Sequence, residues 1–244
     1  MTARRSFATA GRVLMQLAHD PRSIALLLLM PSVFLGLFAW LFDEQPGAFD
    51  QFGGPILALL PFTLMFVITS VTTLRERRSG TLERLMTTPL GKGDFIVGYA
   101  LAFGAAAIVQ ALVTVAFAVL VCGLEIEGPV WQLGLVAVLD ALLGTGLGLL
   151  ASAFARTEFQ AVQFMPVFVF PQILVGGLLM PRDQMPDALH AISDWLPLSY
   201  AVDAVNAVAS GEAGWELARP MIVIAAVVVA ALGLASLTLR RRTP

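Results

Sequence analysis

The sequence predicts an all-α membrane protein with six transmembrane helices. It adds an N-terminal amphipathic interfacial helix, a short cytoplasmic helix between spans two and three, and a short outer helical pair between spans five and six. Three observations carry that prediction. Hydrophobic residues make up 58% of the 244 positions, with a mean hydropathy of +0.83, more apolar surface than a soluble domain of this length buries. Six apolar runs recur, at 23–42, 52–74, 95–122, 131–154, 159–180 and 220–239. Each is about the 20 residues that a helix rising 1.5 Å per residue needs to cross a 30 Å hydrocarbon core. Finally, of the 15 Lys and Arg, only Arg182 and Arg219 fall in segments on the outer side once the N-terminus is placed inside. That bias orients a multi-pass chain and predicts that both termini are cytoplasmic.

Residues 1–22 put Phe7, Leu14, Leu17 and Ala18 on one helical face and Arg5, Arg12, Gln16 and His19 on another, the pattern of a basic helix lying in the interface. Asp20-Pro21 ends it. Four arginines precede the first run and no small-residue cleavage pattern follows it, so the first span is expected to be retained. Between spans two and three, residues 75–94 hold Arg75, Arg77, Arg78, Arg84 and Lys92. Their middle reads as a short helix: Ser79 can cap it, Leu82, Leu85 and Met86 share one side, and Pro89 and Gly91 end it. Residues 181–219 are too long for a turn and too apolar for a free loop. Met185, Leu189, Ile192 and Leu196 recur at helical spacing, Pro197 breaks the run, and a second weakly apolar helix follows from Tyr200 to Ala209. These pieces are expected to lie half-embedded over the outer end of the bundle, with Trp195, Tyr200 and Trp215 at the interface. No repeat or linker divides the chain, which reads as one membrane domain spanning residues 1–244.

Asp140 is the one acid inside an apolar run. A carboxylate at that depth costs about 2.5 to 3.5 kcal/mol on insertion scales, so it needs a partner or water. It reads either as a proton-relay or substrate-cation site, or as a packing acid paired with Gln110 or Thr114. Gly144, Thr145, Gly146 and Gly148 contain a Gly-x-x-x-Gly pair, which admits close helix approach within a bundle or in a dimer. Pro55, Pro61, Pro166 and Pro171 interrupt spans two and five, making those spans the candidates to bend or to line a pathway. Phe62, Phe66, Phe164, Phe168 and Phe170 would give it an aromatic wall; the alternative is that they pack or face lipid.

Several chemistries lack residues. Met86 stands where a phosphate loop needs its first glycine, and Gly91-Lys92 runs into Gly93, so the chain is expected to bind no nucleotide and to be no enzyme by itself. The lone Cys122 and the two histidines, His19 and His190, supply neither a disulfide, a metal set nor a catalytic triad. Cofactors and nucleic acid are not expected on this chain.

Two blocks of residues carry a resemblance. Glu76, then Ser79-Gly80-Thr81-Leu82-Glu83-Arg84-Leu85, Thr88-Pro89-Leu90 and Asp94-Phe95 form the first. The second is Gly176-Gly177-Leu178-Leu179-Met180-Pro181, Met185-Pro186 and Leu196-Pro197-Leu198-Ser199-Tyr200. In this order they resemble the signatures of ABC-2 type transporter permeases, over nearly the whole chain.

That resemblance implies an exporter half, located in the cell (plasma) membrane, that pairs with itself or a paralogous permease. It further implies two copies of a separate ATP-binding subunit, which carry the ATP and Mg. By the same likeness residues 1–22 are a connecting helix. Glu76, Gly80, Thr81, Leu82, Glu83, Leu85 and Met86 would couple to the ATPase, the acids to partner arginines and the apolar residues as an anchor. Phe62, Phe66, Asp140, Phe164, Phe168 and Phe170 would lie on the translocation pathway, and Met180, Pro181, Pro197 and Tyr200 would form the outer gate. The short loops are similar to the daunorubicin and multidrug-resistance branch, exporting hydrophobic or amphipathic compounds. The alternatives are a polysaccharide or lipid exporter subunit, a proton-coupled secondary transporter using Asp140, and a non-transporting scaffold.

Overall fold

The computed structural model describes residues 3–45, 47–78 and 92–238. Nine α-helices occur among them: α1 (Ala3–Ala18), α2 (Pro21–Leu41), α3 (Ala48–Arg78), α4 (Lys92–Leu120), α5 (Val130–Ala151), α6 (Glu158–Val175), α7 (Asp187–Ser193), α8 (Pro197–Ala209) and α9 (Trp215–Thr238). A 3-10 turn, Arg182–Gln184, precedes α7. Helices α2, α3, α4, α5, α6 and α9 are long and apolar enough to cross a membrane. The chain is a multi-pass membrane protein. Helix α1 lies at one end of the bundle, and α7 and α8 lie at the other.

The centre of the fold is the contact between α3 and α5. A Cβ on Gly144 would stand 2.2 Å from the Phe62 carbonyl oxygen, and one on Gly148 would stand 2.6 Å from that of Phe66. Positions four apart on α5 thus meet positions four apart on α3, so the two helices run parallel with their backbones touching. The Gly-x-x-x-Gly pair is spent inside the bundle. Helix α4 runs antiparallel to α5, Leu142 reaching Gly104 and Leu112 reaching Gly134.

Two expectations need correction. The fifth run stops short of 180: α6 ends at Val175, where the Gly176 N–H bonds to the Gln172 carbonyl. Gly177 then takes φ +92°, a conformation open to glycine at little cost. Helix α8 is not half-embedded at a surface; Leu198, Ala201, Val202, Ala204, Val205 and Val208 are buried, and it packs on α3, α5 and α9. Only α7 keeps the expected exposure, with Leu189 and Ile192 outward and Trp195 beside it 89% exposed. Helix α1 docks on the bundle through a face of small residues. Ser6, Thr9, Ala10 and Val13 are buried, whereas Phe7 and Met15 point outward. Its docking is set by size: a Cβ on Gly98 of α4 would fall 2.6 Å from Thr9 Cβ, so small residues, not large apolar ones, bring the helices together.

Candidate functional site

At the α1 end, α3 finishes in two successive residues that pair in different directions. Glu76 is nearly buried, and its carboxylate takes Arg12 of α1 in a fork, Nη1 to Oε1 at 3.1 Å and Nη2 to Oε2 at 3.0 Å. Tyr99 of α4 joins the pair: its hydroxyl accepts from Arg12 Nη2 at 2.9 Å and donates to Glu76 Oε2. Planar, charge-assisted pairing of this kind is the strong class of hydrogen bond. The Arg12 guanidinium also lies 6.0 Å from the Tyr99 ring centroid, inside the range of a cation–π contact. Glu76 was expected to meet an arginine of a partner; among the described residues its arginine comes from its own chain.

Arg75 turns the other way, to Glu158 at the start of α6, with Nε to Oε1 at 2.9 Å and Nη2 to Oε2 at 3.0 Å. This pair is exposed, at 63% and 44% of the two side chains. It borders a cavity of about 660 Å3 whose walls include Leu17, Asp20, Thr72, Arg78 and Phe103. Asp20 caps α2, accepting from the Ser23 hydroxyl and from the backbone N–H groups of Ser23 and Arg22. Those bonds hold its carboxyl below the usual range. Arg77 keeps Nε and Nη2 buried with no partner among the described residues. Gly80, Thr81, Leu82, Glu83, Leu85 and Met86 lie outside the described residues.

In mid-bundle Asp140 is fully buried, as are Gln110 and Thr114. The expected pairing among them is absent: neither carboxylate oxygen of Asp140 nor either polar atom of the Gln110 side chain has a side-chain hydrogen-bond partner among the described residues. The Thr114 hydroxyl instead donates to the Gln110 carbonyl on its own helix at 2.9 Å. The aromatic residues divide. Phe62 and Phe66 are fully buried, while Phe168 and Phe170 are 45% and 60% exposed. Phe164 packs beside Leu74, Ala155 and Ala161. One contact links the two sets, Phe66 to Phe168 with ring centroids 5.7 Å apart.

At the α8 end Arg182 gathers three elements. It donates from Nε to Ser193 Oγ at 2.8 Å and pairs with Asp194 and Asp203, and its guanidinium lies 5.3 Å from the Tyr200 ring centroid. Burial pushes the Asp203 carboxyl up, against the pull of Arg182. Two cavities of about 410 and 430 Å3 flank this group. Pro181 borders both, Tyr200 the first and Met180 the second. Pro197 opens α8 at its first turn, as proline does where the missing N–H costs nothing. No group of three or more His, Cys, Asp or Glu suited to a metal occurs among the described residues.

Sequence reasoning missed Tyr99, Glu158 and Gln172, and Arg12 was placed on the polar face without its partner. Gln172 Oε1 accepts from the Leu198 N–H at 2.9 Å and so ties α6 to α8. A polar residue inside an apolar run was the available signal for Tyr99 and Gln172.

Residues 6–209 match the family described as ABC-2 type transporter. The "Probable multidrug ABC transporter permease YbhR" of Escherichia coli (strain K12) is 27% identical over 175 residues, 70% of this chain and 48% of that protein. The "Daunorubicin resistance ABC transporter permease protein DrrB1" of Streptomyces coeruleorubidus is 27% identical over 231 residues, 89% of this chain and 79% of its own. "ABC transporter G family member 20" of Dictyostelium discoideum is 28% identical over 151 residues, 62% of this chain and 21% of that protein. The match thus spans about half the length of YbhR and about a fifth of the Dictyostelium protein. With six spans, the α3–α5 centre and this match over most of its length, the chain belongs to the ABC-2 type transporter family.

Proposed function

We propose that this chain is the membrane subunit of an ATP-driven exporter and is moved by a separate ATP-binding subunit docking on the segment at 75–94. The observation that carries the reading is where that segment attaches. It joins the end of α3 to the start of α4, and both ends are held to α1 by Arg12, Glu76 and Tyr99. A force applied to those ends meets a braced platform. In this reading the α1 end faces the cytoplasm, two copies of the permease face each other, and ATP and Mg stay on the partner. The names of the YbhR and DrrB1 relatives support a drug-like, hydrophobic or amphipathic cargo. The half-buried side of α3 and the outward phenylalanines of α6 offer a wall suited to such compounds.

The test is a pull-down of the tagged chain from solubilised membranes, followed by ATP hydrolysis and by daunorubicin accumulation in cells. Co-purification of an ATP-binding subunit, vanadate-sensitive hydrolysis and lowered accumulation are expected. A chain that emerges alone, with no hydrolysis, overturns the proposal.

A further inference from the structure

We propose that the cavity of about 660 Å3 at the α1 end is a lipid site, taking the zwitterionic head of a phosphatidylethanolamine with its phosphate on Arg78 and its primary ammonium on Asp20. The site goes beyond the exporter reading. It requires only that the α1 end lie at a membrane surface, and it stands whether or not an ATP-binding subunit accompanies the chain.

Charge sets the ligand class. The cavity walls carry Asp20, Glu76 and Glu158 against Arg75 and Arg78, and Arg12, which grips Glu76, makes the two signs equal. Walls that are neutral in sum favour a head group carrying both signs over one with a net charge. The charges also alternate in a row: Asp20 acts on Arg75, Arg75 holds Glu158 in a fork, and Arg78 acts on Glu158 in turn. One extremity of the row is an acid and the other a cation. Arg78 is exposed and, among the described residues, has no hydrogen bond or ion pair of its own. Asp20 takes two backbone N–H groups on Oδ1 and the Ser23 hydroxyl on Oδ2, so Oδ2 keeps a lone pair for a further donor.

A phosphate is the anion that a guanidinium meets with two parallel bonds, and a primary ammonium brings three donors. Phosphatidylglycerol has no cation for Asp20, and the quaternary ammonium of phosphatidylcholine has no N–H to give it. The volume lies in the ligand-pocket range of about 300–1,000 Å3. Val13, Leu17 and Phe103 add apolar wall beside the charges. From Arg75 the same side of α3 continues through Val71, Ile68 and Leu64 at three- and four-residue spacing. All three stay half-buried although α2 and α6 pack on this helix. That strip is a bed for an acyl chain. A water-soluble zwitterion would leave it empty, so the occupant is a lipid.

The experiment titrates the full chain in detergent with dioleoyl phosphatidylethanolamine, phosphatidylcholine or phosphatidylglycerol and counts bound lipid by native mass spectrometry. One phosphatidylethanolamine per chain is expected to saturate first, about tenfold or more tighter than the other two, the worth of one charge-assisted bond. Arg78→Gln is expected to weaken it by about tenfold. Asp20→Asn keeps a side chain able to cap α2 and is expected to erase the preference over phosphatidylcholine while leaving phosphatidylcholine binding as it was. Arg22→Gln, beside Asp20 but not on the cavity wall, is expected to change nothing. If Arg78→Gln does not fold, a phosphatidylethanolamine with a photoreactive acyl chain is used on the wild type, and it should label the strip from Leu64 to Val71. The proposal is overturned by adducts that do not saturate or ignore the head group, by an equal loss in Arg22→Gln, or by labelling elsewhere. Free phosphoethanolamine binding as tightly as the lipid would overturn the lipid assignment. Absence of an ATP-binding subunit overturns the exporter reading and leaves this site unaffected.

Discussion

Arg75 and Glu76, adjacent in the last turn of α3, make two forked ion pairs on different sides of the helix, Arg75 with Glu158 of α6 and Glu76 with Arg12 of α1. Successive residues of a helix point about 100° apart, so one turn can hold two neighbours at once. The two pairs differ in shielding, and that difference fixes what each contributes. Glu76→Gln leaves the Arg12 guanidinium without its counter-charge in a half-buried place and is expected to destabilise by about 1–3 kcal/mol. Glu158→Gln is expected to cost less than about 1 kcal/mol. Thermal unfolding of the purified variants in detergent compares them, and equal losses would contradict the ordering.

The glycines of α5 make a sharper prediction. Gly144→Ala puts a methyl carbon 2.2 Å from the Phe62 carbonyl oxygen, a contact only helix separation can relieve, whereas at Gly146 the nearest atoms are 3.5 Å away. Gly144→Ala is expected to abolish a monodisperse peak in fluorescence-detected gel filtration, and Gly146→Ala to retain it.

Asp140 has no cationic or hydrogen-bonding partner among the described side chains. The expected outcome for Asp140→Asn is export within about twofold of wild type, since the amide keeps the volume and polarity of a packing residue. Loss of export at unchanged expression would reinstate the proton-coupled reading.

The segment at 75–94 supplies the docking prediction. Glu83→Arg reverses the charge offered to a partner and is expected to leave membrane insertion intact while abolishing association with the ATP-binding subunit. Undiminished co-purification would count against docking at this segment.

At the α8 end the pH dependence has a definite sign. Burial raises the Asp203 carboxyl above its ordinary value, so between the unfolded and folded values the folded state binds more protons. Stability then falls as pH rises from about 3.9, the ordinary aspartate value, through the folded one. Asp203→Asn removes this contribution. The wild-type melting temperature, taken relative to that variant, is expected to decline over this window; a rise would show that Arg182 outweighs burial.

The spans were legible because their cause is local: an apolar run of sufficient length must be helical in lipid, whatever it touches. The two short helices after 181 were legible from their apolar spacing and from the break at Pro197. Partners were not. Arg12 and Glu76 are 64 positions apart, and helical periodicity tells which side chains share a face but not what that face meets. The docking side of α1 is decided by the missing side chain of Gly98, on another helix. Helix α8 looked like a surface piece because it is too short to span; its burial comes from three helices distant in sequence.

Helix α8 is fastened at both extremities. The Leu198 N–H bonds to Gln172 at its start, and the Glu127 and Gly128 N–H groups bond to the Ala209 and Val208 carbonyls at its finish, at 3.0 and 2.9 Å. It lies across the end of the bundle like a beam resting on two supports. Moving α8 would therefore break bonds at each extremity, beside Gly177, which borders both cavities at this end.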